Sequence, residues 1–325
     1  MNNILVCGGA GYIGSHMIKN LSRSGYQTIA FDNLSQGHRD AVLTGQFIEG
    51  DLANIESLER LFSEHSFDLV MHFASSIQVG ESVQNPSKYY KNNFQNSQNL
   101  LDIMVRHNVL NFVFSSTAAI FGDPEYVPID EMHPKQPINP YGRSKLMVEE
   151  ILADYERAYG MKSVCLRYFN AAGADPEGKL GERHDPETHL IPLVLQVASG
   201  RREKITIFGK DYDTPDGTCI RDYIHVDDLC SAHMLALEYL MQDGGGSKSY
   251  NLGNGNGFSV LEVIQMAEEV CGQPIATEIV DRREGDPSSL VANPGLIMNE
   301  FGWSPEHSTL EMIIRHAWLW EQRQL

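Results

Sequence analysis

A short apolar run at residues 4–7 ends in Gly8-Gly9-Ala10-Gly11-Tyr12-Ile13-Gly14, and a helical pattern carrying Ile13, Met17, Ile18 and Leu21 follows at once. This glycine-rich joint between a strand and a helix constrains the fold more than any other stretch. Glycines at such a joint permit a tight turn, close approach of backbone to a pyrophosphate, and close packing of helix on strand. The helix N-terminus then faces the phosphates. The loop fits G-x-G-x-x-G from Gly9 and G-x-x-G-x-x-G from Gly8. Asp32 follows the second apolar run, 18 residues beyond Gly14. A carboxylate there accepts hydrogen bonds from the adenosine ribose hydroxyls and repels a 2′-phosphate, which favours NAD over NADP. The plain alternative is a tight structural turn beside an incidental Asp, but loop, context and acidic residue agree on a dinucleotide site.

The first half of the chain repeats this strand-then-helix theme. Apolar runs at 27–31, 46–49, 69–73 and 111–115 alternate with helical patterns, notably 55–64 and 86–107. A long helix is expected over 140–159, with Leu146, Val148, Ile151, Leu152 and Tyr155 in one stripe, then a strand over 161–167. Alternation of this kind predicts an α/β fold, a Rossmann-type doubly wound parallel sheet covered on both faces. The second half is less regular. Residues 175–187 and 211–217 read as loop, 190–199, 226–241, 260–270 and 310–322 as helix, and 204–208 as strand. It is expected to form a smaller α/β substrate-binding domain. The boundary is placed near residue 170, giving 1–170 and 171–325, with room for the chain to cross more than once.

Composition excludes several classes. The 325 residues are 42% apolar and 21% charged, with 25 basic against 43 acidic residues and a formal charge of −18. Such an acidic surface argues against nucleic acid and anionic membranes as partners. Five scattered cysteines without C-x-x-C read as reduced thiols of a cytoplasmic protein. The N-terminus lacks a basic and an apolar region of signal-peptide length, and no apolar run is long enough to span a bilayer. Twelve histidines show no H-E-x-x-H or Cys/His spacing, so no metal is expected.

Chemistry is carried by Tyr141-Gly142-Arg143-Ser144-Lys145. In a helix this spacing puts the phenol and the ammonium on one face. A free tyrosine has a pKa near ~10, and a fixed positive charge beside it favours the phenolate. Lowering that pKa by about three units takes roughly 4 kcal/mol, which a lysine together with a cationic nicotinamide ring can supply. Ser115-Ser116-Thr117 ends the fifth strand, where ligands gather in an open parallel sheet. Hydroxyl, phenol and ammonium then form a candidate catalytic set. Asp51-Leu52 follows the third strand. Asp51 is placed either to reach the adenine or to N-cap the helix that begins at residue 55. Phe73-Ala74-Ser75 ends the fourth strand with small residues that admit a cofactor.

These stretches, with Asp32-Asn33-Leu34-Ser35, Asn139-Pro140-Tyr141-Gly142, Arg167-Tyr168-Phe169-Asn170, Arg221-Asp222-Tyr223-Ile224-His225-Val226 and Arg283-Glu284-Gly285-Asp286, resemble the UDP-sugar 4-epimerases of the extended short-chain dehydrogenase/reductase superfamily. The match runs nearly end to end. The glycine loop and Y-x-x-x-K belong to the whole superfamily; the 139–142 and 221–226 stretches point to its sugar-nucleotide branch. The resemblance implies bound NAD, contacted by Gly8, Gly11, Tyr12, Ile13, Gly14, Asp32, Asn33, Asp51, Leu52, Phe73, Ala74, Asn92, Ser115, Tyr141, Lys145 and Tyr168. It implies a UDP-hexose substrate held by Thr117, Tyr141, Asn170, His189, Leu190, Phe208, Arg221, Arg283, Asp286 and Leu290. Tyr141 is the implied proton acceptor at the C4 hydroxyl, Thr117 its relay, and Lys145 the group that lowers its pKa. Hydride removal at C4, rotation of the 4-keto sugar and hydride return would interconvert UDP-glucose and UDP-galactose. Ala118-Ala119 stands where related dehydratases carry an Asp-Glu pair, so nothing there moves protons to expel water.

The chain departs from the resemblance in places. Ile77 replaces a cofactor-contacting lysine, and Thr188-His189-Leu190 replaces an Asn-Asn-Leu stretch, which leaves His189 as a donor by substitution. Leu290 stands where a bulky tyrosine excludes N-acetylated sugars and smaller residues admit them, so secondary activity on UDP-GlcNAc and UDP-GalNAc is expected. Arg221 has an ion pair with Asp222 as its plain alternative, and Phe208 a core position. His225-Val226-Asp227-Asp228 reads as a strand end with Asp227 capping the next helix. The resemblance also implies a homodimer through the 86–107 and 140–159 helices. Competing readings are a uronic acid 4-epimerase and a silent NAD-binding sensor, which would have no need of Tyr141 with Lys145.

Overall fold

The computed structural model describes residues 2–242, 244–283 and 286–324. Glu284 and Gly285 of the 283–286 motif lie outside the described residues. The chain divides into two compact units, 1–122 with 134–167 and 230–250, and 123–133 with 168–229 and 251–325. One crossing falls at 167/168, beside the expected boundary; the segments 123–133 and 230–250 lie on the other side of it.

The first unit is built on a seven-stranded sheet. Its strands are β1 (Asn3–Cys7), β2 (Gln27–Asp32), β3 (Gln46–Glu49), β4 (Leu69–His72), β5 (Asn111–Thr117), β6 (Lys162–Tyr168) and a late strand, Lys248–Leu252. The order is β3-β2-β1-β4-β5-β6 and then Lys248–Leu252. This is the doubly wound order, whose reversal between β1 and β4 makes the crevice where dinucleotides bind. The β1–β2, β1–β4, β2–β3 and β4–β5 pairs are parallel. Both faces of β1 and β4 are buried, which is why 4–7 and 69–72 read as continuous apolar runs rather than alternating ones. Helices α1 (Tyr12–Arg23), α2 (Ile55–Glu64), α3 (Val79–Gln84), α4 (Pro86–Tyr89), α5 (Asn96–Arg106) and α6 (Pro140–Tyr159) belong to the same unit. Leu58, Leu61, Leu100, Met104, Val148 and Leu152 join Leu5, Val70, Phe112 and Phe114 of the strands in one core.

The helix expected over 86–107 is broken by a π-helical turn, Tyr90–Gln95, between α4 and α5. Its reward is the placement of Asn93, which is fully buried. The Asn93 amide donates to the Ser76 carbonyl at 2.9 Å and to Ser144 Oγ at 3.2 Å, and its oxygen accepts from the Ser76 N–H at 2.8 Å. Helical periodicity cannot show a local change of pitch that exists to satisfy one buried amide.

The second unit has short strand pairs. Asn170–Ala172 lies parallel to Tyr223–His225, Thr277–Val280 to Ile205–Phe208, and Ser289–Leu290 to Ile220–Arg221. Its core joins Val194, Leu195 and Ile191 of the helix Leu190–Ala198 to Val263 and Ile264 of Val260–Cys271, and to Ile313 and Ile314 of Leu310–Glu321. Two-residue strands such as Ile220–Arg221 carry too little pattern to read from sequence. The helix Val226–Met241 is present as expected, but Asp227 is not its cap. The His225 ring takes that role, its Nδ1 accepting the Asp227 N–H at 3.0 Å, while Asp227 sits in the first turn.

Candidate active site

The glycine joint forms as its residues require. Gly8 has φ +75, and a Cβ there would lie 2.6 Å from the Ala74 nitrogen on β4's exit. A Cβ on Gly14 would lie 2.1 Å from the Gly8 carbonyl oxygen. Gly11 is different: an added Cβ meets only the Gly8 oxygen, at 3.3 Å. Gly11 is also the N-cap of α1 and offers no side-chain cap. Gly11 thus leaves room beside the start of α1 for close approach of a ligand, which fits a pyrophosphate. Asp32, 8% exposed, is tied to this loop: its oxygens accept from the Ala10 N–H at 2.9 Å and the Leu34 N–H at 2.8 Å. Burial raises its pKa, and the two backbone bonds and nearby His38 oppose the rise.

Asp51 does not cap α2. The cap is Asn54, whose side chain accepts from the Ser57 N–H at 3.0 Å. Asp51 instead accepts from the Ala53 N–H at 2.7 Å and from the Asn33 amide at 2.8 Å, so the two polar residues that follow β2 and β3 are joined. Leu52 is buried, and its carbonyl accepts from Asn99. Asn92 donates to Ser76 Oγ at 3.3 Å. Phe73 packs its ring 5.0 Å from that of His233. Tyr12 stacks edge-on against His16, 5.3 Å between centroids. Ile77 is 37% exposed.

The start of α6 is set by Asn139-Pro140-Tyr141-Gly142. Asn139 Oδ1 accepts the Gly142 N–H at 2.8 Å, and Pro140 occupies a first-turn position where its missing N–H costs nothing. Gly142 is required by packing, since a Cβ there would lie 2.2 Å from the Ala119 carbonyl oxygen. Tyr141 thereby meets the 118–120 turn that follows β5. Thr117 is near enough to Tyr141 for its hydroxyl to lower the phenol's pKa, and Thr117 Oγ1 accepts the Ala119 N–H at 3.1 Å. Lys145 is 2% exposed and donates to Ser75 Oγ at 2.7 Å and to the Ser115 carbonyl at 2.6 Å.

Burial pushes the Tyr141 phenol above its ordinary value, and the Thr117 hydroxyl opposes the rise. Burial also brings the Lys145 ammonium down to about 7 against the attraction of Glu149, and its nitrogen points at Ser75 and Ser115. A positive charge brought to the phenol by a bound cofactor would favour the phenolate. Sequence reasoning also missed Glu149, one helical turn beyond Lys145. It is 6% exposed, accepts from Ser116 Oγ at 2.6 Å, and is held by Arg167 Nε at 3.0 Å and Nη2 at 2.8 Å. Its place at i+4 on the Tyr141-Lys145 face was the available signal.

In the second unit, Arg221 pairs with Asp286 and not with Asp222. Asp222 is fully buried and accepts from the Asn254, Gly255 and Ala292 N–H groups. Leu290 lies opposite Arg221 in the strand pair. The Arg283 guanidinium stands 3.7 Å over the half-buried Phe208 ring, so Phe208 is not a core residue. Asn170 begins the strand Asn170–Ala172, and Tyr168 ends β6. His189 precedes Leu190, the first residue of its helix, and its Nδ1 is engaged by Glu182 and Glu187. The structure thus brings together Thr117, Tyr141, Lys145 and Ser115 in one unit, and Arg221, Asp286 and Leu290, or Arg283 and Phe208, in the other.

A doubly wound sheet with a cap-free glycine loop, an acidic residue after β2 and a Tyr-x-x-x-Lys helix beside a Thr defines a dinucleotide-dependent enzyme of the extended short-chain dehydrogenase/reductase type. A family model described as the NAD dependent epimerase/dehydratase family matches residues 4–253, and the chain belongs to that family. It is 52% identical over 319 residues to a UDP-glucose 4-epimerase of Halalkalibacterium halodurans, covering 98% of this chain and 95% of that one. The structure of UDP-glucose 4-epimerase from Brucella ovis in complex with NAD is similar at 48% identity and TM-score 0.95, covering 98% of each chain. The UDP-Glc/GlcNAc 4-epimerase of Campylobacter jejuni is similar at 45% identity and TM-score 0.87, covering 99% of this chain and 100% of that one.

Proposed function

We propose that this protein is an isomerase, an NAD-dependent epimerase that interconverts UDP-glucose and UDP-galactose. The observation that carries the reading is Tyr141 at the start of α6 beside Thr117 at the end of β5, with Ala118 and Ala119 following Thr117 and Lys145 buried one turn on. When bound, NAD would supply the hydride acceptor and donor at the sugar C4 and a positive ring charge that favours the phenolate. Gly8, Gly11, Gly14 and the α1 N-terminus would hold its pyrophosphate, and Asp32, Asn33 and Asp51 its adenosine end. Tyr141 takes the C4 hydroxyl proton and gives it back, and Thr117 holds the same oxygen. Ala118 and Ala119 have no group to move a second proton, so the chemistry stops at inversion. Arg221, Arg283, Asn170, Phe208, Asp286 and the 189–190 turn hold the UDP, a role that suits arginine's fork for a diphosphate.

Secondary activity on UDP-GlcNAc and UDP-GalNAc is supported by Leu290 at the pocket position and by the name of the Campylobacter relative. A homodimer is supported by Leu146 and Met147 of α6, which stay part-exposed between Arg143 and Glu150. A cytoplasmic setting is supported by five cysteines that are all free thiols. Incubating the purified protein with UDP-galactose without added NAD tests the activity: UDP-glucose is the expected product. A 4-keto-6-deoxy sugar would replace the reading with a dehydratase, and absence of turnover would favour a sensor. Tyr141→Phe is expected to lower kcat by about 100-fold or more; near-native turnover would end the assignment.

A further inference from the structure

Four donor side chains converge in the segment that leads into the helix Leu190–Ala198, and three of them have no part in the site above. One donor atom from each of Glu182, His184, Glu187 and His189 lies within 4.8 Å of all the others. His189 Nδ1 is 2.8 Å from Glu182 Oε1 and 2.9 Å from Glu187 Oε1. His184 Nδ1 is 2.9 Å from the same Glu182 oxygen and 3.9 Å from Glu187 Oε2. Two imidazole nitrogens therefore aim at one carboxylate oxygen. Protons on both nitrogens would satisfy them pairwise; one cation at the common focus satisfies all four donors together.

The surroundings favour a cation. The two carboxylate side chains are only 6% and 7% exposed, and among the described residues their ion-pair partners are these histidines alone. Buried carboxylates are paired or coordinate metals. The donors are also braced in advance. Glu187 Oε1 accepts the Thr188 and His189 N–H groups at 2.7 and 2.8 Å, and the Glu182 carbonyl accepts from Trp320 Nε1 at 3.2 Å. A cavity of about 230 Å³ lined by Glu182, His184, Glu187 and Trp320 offers an entry path.

We propose that Glu182, His184, Glu187 and His189 bind one divalent transition-metal ion of the zinc class and so tie down the loop before the helix Leu190–Ala198. Two imidazoles and two carboxylates suit Zn²⁺, whereas Mg²⁺ and Ca²⁺ ask for six or more oxygens. Tetrahedral zinc binds nitrogen and oxygen at about 2.0–2.2 Å, which sets the donors roughly 3.3 Å apart. The four His–Glu spacings, 2.8 to 3.9 Å, bracket that value, and the whole donor set lies within 4.8 Å. E-x-H-x-x-E-x-H matches no helical zinc motif because the donors lie on a loop. The other histidine group is less suited: His225 Nε2 and His316 Nδ1 are bonded to each other at 3.0 Å, and His225 Nδ1 is spent on the Asp227 N–H.

The test strips the full chain with a chelator, then titrates zinc chloride by calorimetry and measures metal retained after dialysis. About one zinc per chain is expected, and His184→Asn and Glu182→Gln should each weaken binding by at least about tenfold, with circular dichroism checking the fold. Cobalt substitution of the wild type, read by its tetrahedral visible bands and by X-ray absorption for two imidazoles, decides the matter even if the variants do not fold. No retained zinc, binding unchanged in both folded variants, or a cobalt spectrum without imidazole ligands would overturn the proposal and leave a histidine–glutamate ion-pair network. The readout is metal binding, so the result is independent of turnover.

Discussion

Lys145 shows how much one residue contributes and costs. Burial pulls its ammonium down to about 7, whereas the unfolded chain would hold the proton to its ordinary value near ~10.4. A depressed folded-state pKa gives a stability term that is whole above the unfolded value and lost as pH falls through about 7. Lys145→Met should therefore abolish turnover yet melt higher than the parent below pH 7, by on the order of a few kcal/mol, with the gap closing as pH rises toward 10. Calorimetric scans across pH check this, and a variant less stable than the parent at pH 6 would refute the assigned cost. Leu290 is a separate test of specificity. Leu290→Tyr should cut turnover of UDP-GlcNAc by about tenfold relative to UDP-glucose, measured as a ratio of kcat/KM. Leu290 and Arg221 could both be singled out from sequence by resemblance, but their pairing across two short strands could not.

At the scale of elements, the start of α6 decides where the phenol stands. Asn139 and Pro140 are readable from sequence as an N-terminus. What requires Gly142 is a carbonyl from residue 119, which has no local signal. Gly142→Ala should push α6 off the 118–120 turn, destabilise the chain by about 1–3 kcal/mol in urea, and lower kcat by displacing Tyr141. Gly80→Ala in α3 is the control: a Cβ there meets nothing within 4 Å, so stability should stay or rise by up to about 1 kcal/mol. The major strands and helices of the first half appeared close to their expected places because apolar runs buried on both faces have a strong pattern. The π-helical turn at Tyr90–Gln95 and the two-residue strands did not, since each answers a distant partner.

For the whole molecule, the proposed homodimer makes a mass claim. Light scattering should give twice the 36.4 kDa of one chain, and Leu146→Glu should shift it to the monomer without changing the far-ultraviolet spectrum. A monomeric parent would remove the dimer. The glycine loop, Asp32, Tyr141 and Lys145 were legible because backbone turns, strand ends and helix faces are local geometry written at fixed spacings. The doubly wound fold followed from alternation for the same reason. Only the tertiary structure showed that Lys145 spends its charge on Ser75 and Ser115, that Arg221 takes Asp286 as its partner, and that Glu182, His184, Glu187 and His189 share one focus. Charge is a property of a residue, but where it points and what water it loses depend on chain that is far away in sequence, and those decide its pKa and its ligands.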